Sequence, residues 1–582
     1  MSIDILNWVL DPDAAHGVHL AGPARTWTMC SYSDLATNAG RVAALLRGYV
    51  KSPGGVVSLT LSEPQDFIAA LGGVWLAGYT ASPVAAPAGF RGHSQYVGHL
   101  RRIIKAAEPA AVLCDVGLLD TVRAVLQEVD LPAAAIALDW TVAPPPTSCL
   151  RSTPPDIALL QFTSGSSGQP KGIAISAGNL EANLEAIHKW VSFSAEDSVA
   201  SWLPLYHDMG LIGSLLTPAT KACDIWLARP EQFLRDPMLW LECLGRHGTT
   251  ITTAPNFGYA YAARKVQPEQ IADLDFSPWR VAVIGAERVD AKAICDFSEL
   301  TGPRGFRVAS LAPAYGLAEA TLAVCAVIPG GAGRIVRLKA DSLRTGSPVR
   351  IEAESRLGIG RPSGSSWLSG CGPPVEGTRI IIRGEEGQQL PLGHLGEICV
   401  CGPGVARGYQ GQHHGSTTTF TRDELRTGDA GFMLDGEVFV VGRIGDSLKV
   451  RGRRVHSEDI ESALTEALGL PPGRCGVAMG SLAETDVLAV VIERRDPALP
   501  TEALAPLRAL VGEGVSIALF IARAGEIPRT SSGKVRRSEI WRRVTGGEPP
   551  GNLVLVDWNP ASPPPRWAAG TTNSQPSVRS QP

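Results

Sequence analysis

Two spacings of apolar residues alternate along the first 440 or so positions. Short runs such as Val56-Val57-Ser58-Leu59-Thr60-Leu61, Ala111-Val112-Leu113 and Val281-Ala282-Val283-Ile284 have the length and β-branched content of buried strands. Between them lie stretches with helical spacing. After Ser176, a residue suited to capping a helix, Leu180, Leu184 and Ile187 fall on one helical face. Strands alternating with helices predict a layered α/β architecture.

Beyond Gly442 a smaller α+β unit of about 100 residues is predicted. Ser457, Glu458 and Asp459 open a helix with acids where its dipole favours them, and Ile460, Leu464 and Leu468 form its apolar stripe. Strands are predicted at Val487–Ile492 and Val515–Ile521, with a helix at Glu502–Val511 between them. From Gly546 onward Pro, Ser, Gly and Thr dominate, which predicts a disordered tail. The expected division is 1–441, 442–546 and 547–582.

With 582 residues the chain exceeds one ordinary domain. Its 44% hydrophobic and 19% charged content is that of a globular protein, and a net charge of −4 gives no reason to expect nucleic-acid binding. The eleven cysteines show no Cys-x-x-Cys spacing, so reduced, mostly buried thiols in a cytoplasmic protein are expected. Cys399 and Cys401 fall on one face of a strand. The first residues carry Asp4, Asp11 and Asp13 and do not resemble a signal peptide. The uncharged run Phe67–Phe90 is broken by Gly72, Gly73, Gly78, Pro83, Pro87 and Gly89, so it reads as helix, turn and strand and not as a transmembrane segment.

The densest candidate chemistry follows Leu159-Leu160-Gln161-Phe162. Thr163, Ser164, Gly165, Ser166, Ser167 and Gly168 lead through Gln169 and Pro170 to Lys171 and Gly172. Glycines let backbone N–H groups converge on an anion, and hydroxyls add donors, so the loop can cradle phosphates. It is not a Gly-x-x-x-x-Gly-Lys P-loop, because Pro170 stands where the second glycine belongs. A flexible linker is the other reading, which its place between two apolar runs argues against.

Only ten of the 53 basic residues are lysines, yet Lys171, Lys449 and Lys534 fall in Gly-rich or turn segments. A compact ammonium is not interchangeable with a guanidinium at a tight site. Further segments are Tyr315-Gly316-Leu317-Ala318-Glu319, Arg426-Thr427-Gly428-Asp429, Gly442-Arg443-Ile444-Gly445-Asp446 and Ile527–Lys534. An acid in a Gly turn can hold Mg²⁺ beside phosphates, and a fixed carboxylate can accept both hydroxyls of a ribose.

In this order and spacing the segments resemble the adenylate-forming superfamily, which includes acyl-CoA synthetases, luciferases, peptide-synthetase adenylation domains and fatty acyl-AMP ligases. The resemblance runs from about Ser31 to Arg543. It implies a large N-terminal domain of packed sheets and helices and a small mobile C-terminal one, with ATP and Mg²⁺ as cofactors. It assigns Thr163–Gly172 to the ATP phosphates and Gly285, Ala286, Glu287, Tyr315 and Gly316 to the nucleotide. Glu319 is assigned to Mg²⁺, Asp429 to the ribose, Arg443 to a further nucleotide contact and Lys534 to the reacting carboxylate and α-phosphate. Gly445 stands where the family's hinge residue is usually Asp or Lys, so a hinge is expected there without a side-chain role.

Trp202-Leu203-Pro204-Leu205-Tyr206-His207-Asp208-Met209-Gly210 resembles the substrate-side motif of fatty acyl-AMP ligases, with His207 implied in catalysis. A packing role for His207 and a helix cap for Asp208 stay open. Glu319 and Gly372 lie 53 positions apart, more than the matching interval in CoA ligases, and the surplus at about 329–366 resembles the insertion of that branch. The resemblance implies activation of a fatty acid to its acyl-adenylate, then transfer to a separate acyl carrier protein. An acyl-CoA synthetase and a non-catalytic binding homologue are the alternatives.

Overall fold

The computed structural model describes residues 4–50, 54–89, 92–141, 154–164, 170–331, 333–339, 342–360, 362, 367–411, 417–450, 453–471, 473–482, 485–494, 503–512, 515–530 and 533–558. The α/β expectation is met. An eight-stranded and a seven-stranded sheet carry most of the chain before residue 330, and a five-stranded sheet follows. Helices Tyr32–Tyr49 and Pro64–Leu76 cover strand Val56–Thr60 and share its core. They touch closely at Gly73, where a Cβ would lie 2.5 Å from Val42 Cβ and 2.7 Å from Ala39 O.

The uncharged run at 67–90 separates into helix Pro64–Leu76 and strand Thr80–Pro83, and no helix among the described residues is long and apolar enough to cross a membrane. None of the described cysteines is disulfide-bonded. Ser176 caps helix Ala177–Trp190 through reciprocal bonds with Asn179, and Leu180, Leu184 and Ile187 are buried.

Two features of this frame position chemistry. Strands Val199–Ser201, Ile251–Pro255, Val281–Gly285 and Leu311–Gly316 run parallel, so their carboxyl ends open on one side of the sheet. In the other large sheet, Ile157–Ser164 pairs antiparallel with Pro170–Ser176. Edge strand Gly408–Tyr409 pairs with Pro170–Ser176 and sets Tyr409 beside it.

The interval after Glu319 holds a three-stranded antiparallel sheet of Arg334–Leu338, Ile351–Arg356 and Trp367–Ser369. Its Val336, Leu338 and Leu368 pack with Phe432 and Phe439, whose rings stack 5.0 Å apart. The Gly-, Ser- and Arg-rich composition here hides an ordered module. It hides because only one face of this small sheet is apolar.

The small unit has cores of its own, built from Leu448 onward. Its sheet is Cys475–Leu482, Thr485–Glu493, Ser516–Ala522 and Asn552–Asp557. The last strand corrects the expected start of the disordered tail. Leu553, Val554, Leu555 and Val556 pair antiparallel with Ser516–Ala522, and Arg508 donates to Asp557 at 2.8 Å. Overall Pro/Ser content masked four consecutive aliphatics. The remainder, 559–582, lies outside the described residues.

Ending the chain at Gly551 is expected to destabilise the small domain by more than the ~1 kcal/mol of an average single substitution. Ending it at Trp558 is expected to leave the domain's urea midpoint unchanged. The measurement is urea unfolding followed by pulsed hydrogen exchange of the small-domain strands Cys475–Leu482 and Thr485–Glu493.

Candidate active site

At the open ends of the parallel strands, and facing the Ile157–Ser164 hairpin, lies a cavity of about 1640 Å³. Thr163 and Lys171 line it from the hairpin. Ser164 is described as backbone only, and Gly165, Ser166, Ser167 and Gly168 lie outside the described residues, as do Ser531, Ser532 and the side chain of Lys449.

Lys171 is 4% exposed, and its Nζ sits 5.5 Å from the centre of the Tyr409 ring. It forms no ion pair among the described residues. Burial pulls its pKa down, and nearby Glu319 partly restores it. A buried ammonium without a bonded carboxylate is a site for an anion. Glu319 stands in the turn Ala318–Ala320, 7% exposed, and accepts a hydrogen bond from Tyr409 Oη at 2.7 Å. Tyr409 thus braces both groups, and nothing in its local sequence signals this. Pairing between two strands more than 230 residues apart decides it.

No cluster of three metal-ligating side chains occurs among the described residues. Glu319 alone offers a hard, buried carboxylate beside the phosphate hairpin. That donor suits Mg²⁺, which keeps waters and takes its other ligands from phosphates.

The wall that carries Gly285 to Glu287 and Tyr315 is built on strand ends. Gly285 ends its strand, and Ala286 adopts a left-handed φ of 67°, a costly conformation for a residue with a Cβ. The Glu287 carboxylate holds that turn by accepting the backbone N–H of Phe257. Gly316 is obligatory, since a Cβ there would lie 1.8 Å from Leu322 O. Tyr315 Oη donates to Asp429 Oδ2 at 2.6 Å, while Arg443 Nε meets Asp429 Oδ1 at 3.0 Å. Each carboxylate oxygen keeps a lone pair, enough for one ribose hydroxyl apiece. Asp429 and Arg443 are direct cross-strand partners, which explains their fixed distance.

His207 and Asp208 form a close pair, Nδ1 to Oδ1 2.6 Å. Asp208 also accepts Met209 N at 2.7 Å and caps the π-helix Met209–Leu216, so the capping reading holds alongside the pairing. Burial pushes the Asp208 carboxyl up, but His207 and, more weakly, Lys534 bring it below the usual range.

Lys534 comes from the small domain yet lines the same cavity, near enough to Asp208 and Glu287 to lower both. The two domains are fastened by Arg288 to Asp459 at 2.5 Å, a pair absent from the sequence-level candidates. Gly445 sits at the exposed junction in the turn Ile444–Asp446 without a left-handed φ, and a Cβ would lie 2.8 Å from Thr417 Cγ2. Beside it Arg537 binds Glu461 at 2.9 Å and Glu458 at 3.1 Å, with Asp446 at 3.7 Å.

Two domains meeting at one cavity, lined by the Asp429 carboxylate and by Lys171 and Lys534, which form no ion pair among the described residues, have the arrangement of an adenylate-forming enzyme. The chain belongs to the AMP-binding enzyme family, whose model matches residues 12–410. It is 33% identical over 524 residues to a putative acyl-CoA synthetase of Caulobacter vibrioides, covering 87% of this chain and 89% of that one. It is 30% identical over 532 residues to the medium-chain-fatty-acid–[acyl-carrier-protein] ligase JamA of Moorena producens, covering 87% and 88%. Among solved structures it matches one from a study of fatty acyl-adenylate ligases of E. coli and L. pneumophila. There the TM-score is 0.81 and the identity 30%, over 93% of this chain and 96% of that one. Within the family the chain is of the fatty acyl-AMP ligase type.

Tyr409→Phe removes the hydroxyl that holds Glu319. Losing one hydrogen bond to a charged group is expected to weaken Mg·ATP binding about tenfold while changing the melting temperature little. Nucleotide titration by calorimetry, with and without Mg²⁺, measures this.

Proposed function

We infer that the protein activates a fatty acid with ATP and hands the acyl group to the phosphopantetheine thiol of a separate acyl carrier protein. The observation that carries this reading is the meeting of Lys534, Lys171, Glu319 and the Asp429–Arg443 pair in one cavity with a long apolar arm. A carboxylate oxygen of the acid attacks the α-phosphorus of ATP, the bond from that phosphorus to the bridging oxygen breaks, and pyrophosphate leaves. Two anions must approach, so stabilising charge is the main task of the site.

Lys534 faces the position where the carboxylate and α-phosphate meet, and Lys171 faces the outer phosphates. Asp429 orients the ribose, and Arg443 holds Asp429 and adds positive charge. His207, fixed by Asp208, borders the carboxylate. Mg²⁺ held by Glu319 would neutralise phosphate charge and favour departure of pyrophosphate. In the second step the carrier thiol adds to the acyl carbonyl and AMP leaves, after the small domain turns about Gly445.

An ordered sheet at Arg334–Ser369 supports the carrier-dependent branch over the CoA-dependent one. Retention of all four polar elements argues against a non-catalytic homologue.

Lys534→Ala is expected to reduce ATP–pyrophosphate exchange by about 10²- to 10³-fold with ATP binding intact. Unchanged exchange refutes the role of Lys534. A second assay adds CoA or a loaded carrier protein to enzyme that has made acyl-AMP. Persistence with CoA and consumption by the carrier support the ligase, whereas accumulation of acyl-CoA overturns it.

A further inference from the structure

The cavity continues away from the nucleotide, between the eight-stranded sheet and helix Ala177–Trp190, as an apolar arm. Its wall along the sheet runs from Gly285 through Val283 and Thr253 to Ile251 and Val199. The register pairs Gly285 with Pro255 and Ile251 with Val199, so the arm spans four residues of strand, roughly 13 Å.

A further wall is the π-helix. Every residue of Met209–Leu216 is buried except Gly213, and Met209, Gly213 and Thr217 line the cavity in successive turns. Gly213 is therefore the gap in this wall, and a Cβ there would approach Leu322 Cδ2 at 3.2 Å. Trp190 and Phe193 also line the cavity, as half-buried side chains in one cluster with Val199 and Ile251. Trp190 is held in place because its indole N–H donates to Val327 O at 2.8 Å. Beyond Phe193 the chain turns through exposed Ser194, Ala195 and Glu196.

We propose that this arm gauges chain length: Gly213 keeps it open, Trp190 and Phe193 form its floor, and it selects straight-chain acids of about eight to twelve carbons. An extended alkyl chain with C–C bonds near 1.5 Å advances roughly 1.25 Å per carbon, so roughly ten carbons fill 13 Å. Each methylene buried before the floor is worth about fourfold in affinity, and methylenes past it gain nothing. The gauge rests on the fatty-acid adenylation reading above.

The test is ATP–pyrophosphate exchange by the full-length protein with saturated acids from four to eighteen carbons. The wild type is expected to peak near ten and to fall at least tenfold by sixteen. Trp190→Ala and, independently, Phe193→Ala are expected to raise the sixteen-to-ten ratio about tenfold. Gly213→Leu is expected to abolish use of ten carbons while keeping four. A flat wild-type profile, or single-residue variants that all retain it, overturns the gauge but not the adenylation reading. Absence of exchange with every acid overturns both.

Discussion

The pairing of Asp429 with Arg443 is the interaction on which the site depends. It arises from the hairpin of Leu425–Leu434 with Glu437–Arg443, in which the two residues face each other across the ladder. Slipping that register by one residue would send one of the two side chains to the wrong face and break the pair. The pair also lies where the chain leaves the large domain, so Asp429, Arg443 and the turn Ile444–Asp446 share one structural unit. Tyr315 completes it from another sheet by occupying the second carboxylate oxygen.

Around this unit the structure keeps positive charge without carboxylate partners. Several arginines elsewhere are paired: Arg280 with Asp197, Arg383 with Glu424, Arg426 with Glu397, Arg537 with two glutamates. Lys171 and Lys534 form no ion pair among the described residues, and both open on the cavity. Lys171 is buried and Lys534 exposed, so it is the Lys171 ammonium whose burial without an ion pair costs stability, a cost that a bound anion would offset. Domain closure adds to this logic, because the second of the two lysines arrives only with the small domain.

Much of the fold was legible because its local rules agree. The Ser176 cap, the stripe at Leu180, Leu184 and Ile187, and the acidic first turn of helix Ser457–Ala467 all lie where spacing and capping put them. The reading failed where composition was averaged over too long a window. Leu553–Val556 was lost in a Pro/Ser-rich tail, and Arg334–Leu338 in a Gly/Ser/Arg-rich interval. In both cases a few alternating aliphatics suffice for a strand once a partner edge exists, and the edge lies elsewhere in the chain.

The sequence by itself determined the chemical groups: a Ser/Gly loop ending on Lys171, acids at Glu319 and Asp429, and a lysine at 534 in a glycine turn. Residue type and local turn propensity are short-range properties, so they can be read along the chain. Only the tertiary structure decided which groups meet. Tyr409 braces Lys171 and Glu319, Arg288 latches Asp459, and Trp190 floors an arm open at Gly213, because strand pairing and helix packing join residues far apart in sequence. Those contacts follow from the burial of apolar faces, and no local pattern encodes them.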